Sequence, residues 1–107
     1  MGFLRRLAHD LKAGWASLRA GTAQAATRAL EETELLRLRL ELRKLDDRLT
    51  ELCRGIGERA VELHERGMPA ERVLADHDVL HGAEQVKALR AERDKILRDM
   101  DEIRSGR

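Results

Sequence analysis

Apolar residues recur from residue 35 onward at alternating steps of three and four. They are Leu35, Leu38, Leu42, Leu45, Leu49, Leu52, Ile56 and Leu63. This spacing is that of a coiled-coil seam, in which one apolar stripe of a helix faces a partner helix. After Gly67-Met68-Pro69 a second run follows at Ala75, Val79, Gly82, Val86, Leu89, Ile96, Met100 and Ile103. The pattern predicts two long helices, about residues 28–66 and 69–104, with Pro69 at the first helical position of the second.

The two seams fall into register when the chain is folded at the intervening turn. The facing apolar pairs are then Ile56 with Val79, Leu49 with Val86, and Leu38 with Ile96 or Leu97. The same register places Arg59 near Asp76 and Glu41 near Arg93, so the charged residues that interrupt the seams gain partners. We therefore expect an all-α protein in which residues 28–104 form a long antiparallel coiled-coil helical hairpin.

Residues 1–20 carry a different pattern, with bulky apolar residues on one face of a helix and basic residues on the opposite side and the flanks. The apolar positions are Phe3, Leu4, Leu7, Leu11, Trp15 and Leu18, and the basic positions are Arg5, Arg6, Lys12 and Arg19. This composition is typical of a helix that lies in a membrane interface, where basic side chains are attracted to anionic lipid and Trp favours the headgroup boundary. We predict that these ten residues bind an anionic membrane surface.

Two other interpretations of the N-terminal segment fit its composition. The apolar face fits packing on Leu36 and Leu40, which would complete a helical bundle. An Arg- and Ala-rich start with one acidic residue also fits an organellar transit peptide. Residues 21–27 lie at the start of a stretch, Gly21 followed by "TAQAATRA" (residues 22–29), that is mostly small and weakly polar. We expect them to form a hinge or an imperfect helical continuation, with Thr27 as a candidate N-cap.

Three apolar residues of the predicted hairpin point well away from its seam. They are Leu36, Leu40 and Val61. A two-helix hairpin buries only one seam, so it is marginally stable alone and benefits from a partner chain. We predict a homo-oligomer in which these three residues form the interface between subunits.

Composition and charge narrow the class of protein. Charged residues make up 38% of the chain and aromatic residues 2%, which is typical of long helices and implies no enzyme-sized pocket. Residues 1–27 contain four basic residues and one acidic residue, whereas residues 28–107 contain 17 basic and 19 acidic. No basic stripe with stacking aromatics follows, so we expect no nucleic-acid partner. One cysteine and no long apolar run predict a cytoplasmic protein that is peripheral on a membrane.

Candidate chemistry is sparse. His77 and His81 have the four-residue spacing of a zinc-binding pair, but both point roughly opposite the seam, while Cys53 faces near it. The acidic residues alternate with arginine, and no desolvated cleft is predicted that would separate the pKa values of a carboxylate pair. We therefore expect no metal, no cofactor, no small-molecule substrate and no catalytic residue.

A basic amphipathic helix, a hinge and a long hairpin form a recognisable order of elements. It resembles the start of the phage-shock protein A and ESCRT-type membrane-remodelling family, through Met1-Gly2-Phe3-Leu4-Arg5-Arg6-Leu7, Asp10, Ala13 and the two hairpin helices. The resemblance implies membrane binding through residues 3–18 and self-assembly through the hairpin surfaces. The expected function is non-enzymatic scaffolding or shaping of a membrane surface. The alternative is a soluble oligomeric adaptor whose N-terminal helix completes a bundle.

Overall fold

The structure, a computed structural model, describes residues 2–106 except for the side chains at positions 13, 14, 16–18 and 20. It contains three helices: α1 (Gly2–Glu65), α2 (Ala70–Ala75) and α3 (His77–Arg104). No strand occurs among the described residues. The prediction of an all-α fold is confirmed.

The chain divides into two compact units, one up to Leu36 and one from Arg37 onward. The first unit is a single stretch of α1. The second contains the rest of α1 together with α2 and α3. The boundary between units therefore lies nine residues beyond the end of the predicted hinge at 21–27.

The backbone is helical throughout residues 21–27. Alanine has the highest helix propensity of the amino acids, and this segment is rich in it. The hydroxyl of Thr27 donates to the carbonyl oxygen of Ala23 at 3.0 Å, which is the bond of a threonine inside a helix and not of an N-cap. The prediction that Thr27 caps a new helix is therefore wrong, and no break separates residues 1–20 from the helix that follows.

The turn after α1 is a helix C-cap built on glycine. Gly67 has a φ of 84°, in the left-handed region that a residue without Cβ adopts readily. Its N–H donates to the carbonyl of His64 at 2.9 Å, and the N–H of Met68 donates to that of Leu63 at 3.1 Å. These two bonds define a Schellman motif, which satisfies carbonyls at the end of α1. Pro69 is the N-cap of α2 and not its first helical residue, one position from the prediction.

The predicted second helix, 69–104, is interrupted at Asp76. This residue has an extended backbone, with a φ of −58° and a ψ of 136°. Its carboxylate accepts hydrogen bonds from the backbone N–H groups of Asp78 at 3.1 Å and Val79 at 3.2 Å. Asp76 is thus the N-cap of α3, because the carboxylate replaces partners that the first turn of a helix lacks. The single predicted helix is two helices.

The core of the second unit consists of seam residues. The buried positions are Leu38, Leu63, Val79, Gly82, Val86, Leu89 and Met100. Helices α1 and α3 contact each other at several points. The predicted proximity of Arg59 and Asp76 is confirmed by a hydrogen-bonded pair.

Two contacts join residues other than the predicted partners. Ile56 packs against Gly82, one turn beyond the predicted Val79, and a Cβ atom built on Gly82 would lie 2.6 Å from Cγ1 of Ile56. Arg93 donates from Nε to the carboxylate of Asp46 at 2.8 Å, not to the predicted Glu41. In a coiled coil each seam residue enters a space between four residues of the facing helix, so one-to-one pairing describes these contacts poorly.

Candidate functional site

The apolar face at the start of α1 is exposed. Phe3 is 76% exposed, Leu4 63%, Leu7 47%, Leu11 66% and Trp15 64%. At 3.6 residues per turn these five side chains fall within an arc of about 120° of the helix surface. The side chain of Leu18, the sixth predicted member, lies outside the described residues. The face is wide and bulky, and it is open to solvent in the single chain.

The predicted basic residues border this face. Arg5, Arg6, Lys12 and Arg19 are all exposed. Arg5 lines a shallow concave surface with Leu4 and Ala8. Arg19 lines another with Trp15 and residues of the following turn. The geometry therefore brings cationic and apolar side chains side by side on one helix.

Leu36 and Leu40 are 55% and 52% exposed. Leu7 and Leu36 belong to one continuous helix, so they are separated by about 44 Å along its axis at 1.5 Å per residue. In this conformation the N-terminal apolar face does not pack on Leu36 within the same chain. No helix in the part of the chain that the structure describes is long and apolar enough to cross a membrane.

The three residues predicted to join subunits do not form one patch. Leu40 and Val61, which both belong to the second unit, lie about 31 Å apart along α1. Val61 is 56% exposed and lines an open apolar groove with Leu74, which is 69% exposed. The other residues of this groove are Ala60, His64, Ala70 and Val73.

Sequence reasoning missed Leu74, along with two other exposed apolar residues, Leu30 and Leu80. All three stand outside the seam spacing, and that departure is the signal that would have found them. Leu74 in particular belongs to a six-residue helix that the heptad pattern does not distinguish from α3. The groove of Val61 and Leu74 therefore depends on a helix break that periodicity conceals.

A charge cluster joins α1 to the start of α3. Arg59 donates from Nε and Nη2 to the two carboxylate oxygens of Asp76, at 3.3 Å each. Glu62 and Asp78 lie further off, at 3.8 Å and 3.7 Å from the guanidinium. The hydrogen bond from Arg59 lowers the pKa of Asp76, against an opposing effect of desolvation, and the N–H groups of Val79 and Asp78 lower that pKa further. One carboxylate thus caps α3 and binds α1.

The residues with metal-binding or nucleophilic side chains are dispersed. The rings of His77 and His81 are stacked, with centroids 6.1 Å apart and planes 7° apart. Within residues 2–106, no group of three His, Cys, Asp or Glu side chains is placed to hold a metal ion. Cys53 is exposed and unpaired.

Comparison with known proteins does not assign the chain to a family. No family model matches it, and neither a curated protein nor a solved structure is detectably similar.

Proposed function

We propose that this protein is a non-enzymatic, self-assembling scaffold that binds the surface of an anionic membrane through the start of α1. The observation that carries the proposal is the exposed apolar face of Phe3, Leu4, Leu7, Leu11 and Trp15, bordered by exposed basic residues.

The size of this face supports a binding role. Fully burying a Leu or Phe side chain contributes about 1.5–3 kcal/mol relative to leaving it in water. Scattered exposed leucines are ordinary on a protein surface, but five bulky apolar side chains along four turns of one helix are not. A membrane interface covers such a face and binds its cationic borders at the same time. The absence of a spanning helix among the described residues is consistent with a helix that lies along the surface.

We further propose that residues 37–104 form an antiparallel coiled-coil hairpin that acts as the assembly module. Three contacts support this arrangement: Arg59 with Asp76, Ile56 with Gly82, and Asp46 with Arg93. In these three contacts the residue number on α1 falls from 59 to 46 while the number of its partner rises from 76 to 93. Opposed order of this kind is the signature of antiparallel helices.

Self-association would use the apolar residues outside the seam. Leu36 in the first unit and Leu40 in the second are each exposed candidates, and the groove of Val61 and Leu74 is a separate candidate. A subunit with two separate contacts is suited to assemblies larger than a dimer. Repeated membrane-binding helices on such an assembly would shape or support the surface, as the resemblance to the phage-shock protein A and ESCRT-type family implies. The proposed location is the cytoplasmic face of a membrane.

Flotation of the full chain with anionic vesicles tests the proposal. Leu11→Glu should abolish binding, because a carboxylate enters the apolar face. Leu30→Glu is the matched control: it is the same change on the same helix, at a residue that is 72% exposed and about 120° from the middle of that face. It should bind like the wild type. The melting temperature of the second unit should be unchanged in both variants, because neither residue belongs to its core.

Two results would contradict this function. If Leu11→Glu co-floats with anionic vesicles as well as the wild type, the apolar face does not bind the membrane surface. A loss of stability of several kcal/mol in Leu11→Glu would show that Leu11 is buried in a bundle, since an unpaired charge there would be desolvated. That second result would support the soluble adaptor.

A further inference from the structure

Three of the N-terminal cations form a row along one side of the apolar face. Arg5, Lys12 and Arg19 are spaced by seven residues, which places successive members about 10.5 Å apart on nearly the same side of the helix. All three are exposed, and among the described residues none is paired with an acidic side chain. The chain therefore presents an unneutralised cationic row of about 21 Å.

The other border of the face has no such row. Asp10 lies about 80° from the middle of the apolar arc on that side, so it places a negative charge near the face. Arg6 lies about 120° from the middle on the same side as Asp10, opposite the row of Arg5, Lys12 and Arg19. The charges of these two residues cancel. The side with the row therefore carries three more positive charges than the opposite side. The composition of the helix shows only that it is basic.

Trp15 marks the same side independently. It lies between the middle of the apolar arc and the cationic row, and it lines one concave surface with Arg19. Tryptophan favours the headgroup level of a membrane, where its ring is partly in hydrocarbon and its N–H is in a polar layer. Its position therefore indicates which border of the helix meets the headgroups.

We propose that Arg5, Lys12 and Arg19 are the headgroup-binding edge of α1, which selects lipids of net negative charge and rolls the helix toward that edge. This inference rests on the proposed membrane binding and adds to it the residues that determine lipid selectivity. Charge complementarity favours anionic lipid over nucleic acid as the occupant. A phosphodiester backbone would pair with the row but leave the adjacent Leu4, Leu7 and Leu11 uncovered, whereas lipid covers both.

The test uses the full chain, with vesicles of phosphatidylcholine alone and of an equal mixture of phosphatidylcholine and phosphatidylglycerol. Arg5→Gln, Lys12→Gln and Arg19→Gln should each weaken binding to the mixed vesicles about fivefold, since a basic residue near an anionic surface contributes about 1 kcal/mol. Arg6→Gln removes the same charge from the other border, which the proposed roll lifts away from the headgroups, and should weaken binding less than about twofold. The fluorescence emission of Trp15 should shift to shorter wavelength when the ring enters lipid. At saturating vesicles this shift should occur in every variant, because the apolar face is unchanged.

Each remaining outcome overturns a defined part of the argument. An equal loss from Arg6→Gln would mean that only net charge matters, which removes the row and leaves membrane binding intact. Equal binding of the wild type to both vesicles would remove selectivity for anionic lipid. Binding to neither vesicle would contradict the proposed function itself. Binding to double-stranded DNA with the same dependence on the three residues, and no binding to vesicles, would replace lipid by a polyanion.

Discussion

Gly82 lies on α3 at a point where an added methyl group would meet a side chain of α1. A Cβ atom added there would lie 2.6 Å from Cγ1 and 3.0 Å from Cδ1 of Ile56. Carbon atoms in van der Waals contact are about 3.5–4.0 Å apart, so Gly82→Ala requires the helices or the Ile56 side chain to move. By contrast, a Cβ atom added at Gly55 or Gly57 meets nothing within 4 Å.

The magnitude follows from two opposing effects. Alanine is favoured over glycine inside a helix by about 1 kcal/mol, and this gain applies to all three positions. Overpacking in a well-packed contact costs about 1–3 kcal/mol and applies only to Gly82. Gly55→Ala should therefore stabilise the protein by up to about 1 kcal/mol. Gly82→Ala should be less stable than Gly55→Ala by about 1–3 kcal/mol, because the propensity gain cancels in the comparison.

Urea unfolding followed by far-UV circular dichroism measures these differences, and the pair Ile56→Ala with Gly82→Ala isolates the contact. In the Ile56→Ala background the obstructing carbons are gone, so Gly82→Ala should become stabilising, with a coupling energy between the two positions. The packing of α1 on α3 at Gly82 would be refuted by a Gly82→Ala variant that is as stable as Gly55→Ala. The same conclusion would follow if the effects of the double variant were simply additive.

Three further predictions concern burial, pH and assembly. Leu38→Ala should cost about 2–5 kcal/mol in the free energy of unfolding, whereas Leu40→Ala, at a half-exposed position two residues away, should cost about 0.5 kcal/mol or less. Because Arg59 lowers the pKa of folded Asp76, the stability contributed by that carboxylate is present above its unfolded pKa of about 3.9 and is lost as pH falls through the folded value. Asp76→Asn, which keeps an N-cap side chain, should make the melting temperature fall less steeply on acidification below about pH 4. Val61→Glu should lower the mass measured by light scattering if the groove joins subunits, and an unchanged mass would exclude the groove from the interface.

Hydrophobic spacing was sufficient to predict the helical class and the buried residues of the second unit. Six of its core positions are apolar seam residues, because a side chain that repeats at steps of three and four stays on one side of a helix. Spacing also predicted the pairing of Arg59 with Asp76, because this pair lies close to the turn that fixes the register. The partners of Ile56 and Arg93 lie further from the turn. The contact of Arg93 depends on the length of its side chain, and the contact of Ile56 depends on the absence of a side chain at Gly82. Hydrophobic periodicity predicts neither property.

The break at Asp76 shows why the second helix was predicted as one. The apolar positions on either side of Asp76 keep helical spacing, so periodicity continues across a residue whose backbone is extended. The capping preference of aspartate was visible in the sequence, but aspartate is common on exposed helix faces of so charged a chain. What distinguishes Asp76 is that its carboxylate has two sets of donors, the N–H groups of α3 and the guanidinium of Arg59. The guanidinium belongs to another helix, so the residues next to Asp76 in the sequence do not predict this contact.

The two units of the chain differ in what can stabilise them. Residues from Arg37 onward bury apolar side chains of α1 and α3 and join these helices through Arg59 and Asp76. The stretch of α1 before Arg37 has exposed apolar side chains instead, and it contains Gly14 and Gly21, each of which costs a helix about 1 kcal/mol relative to alanine. Helices in water depend mainly on packing of an apolar face and not on propensity. We therefore infer that whatever covers the face of Phe3 to Trp15 also supplies most of the stability of this helix. Binding and helix formation in the first unit are then one equilibrium, whereas the hairpin proposed for the second unit folds on its own core.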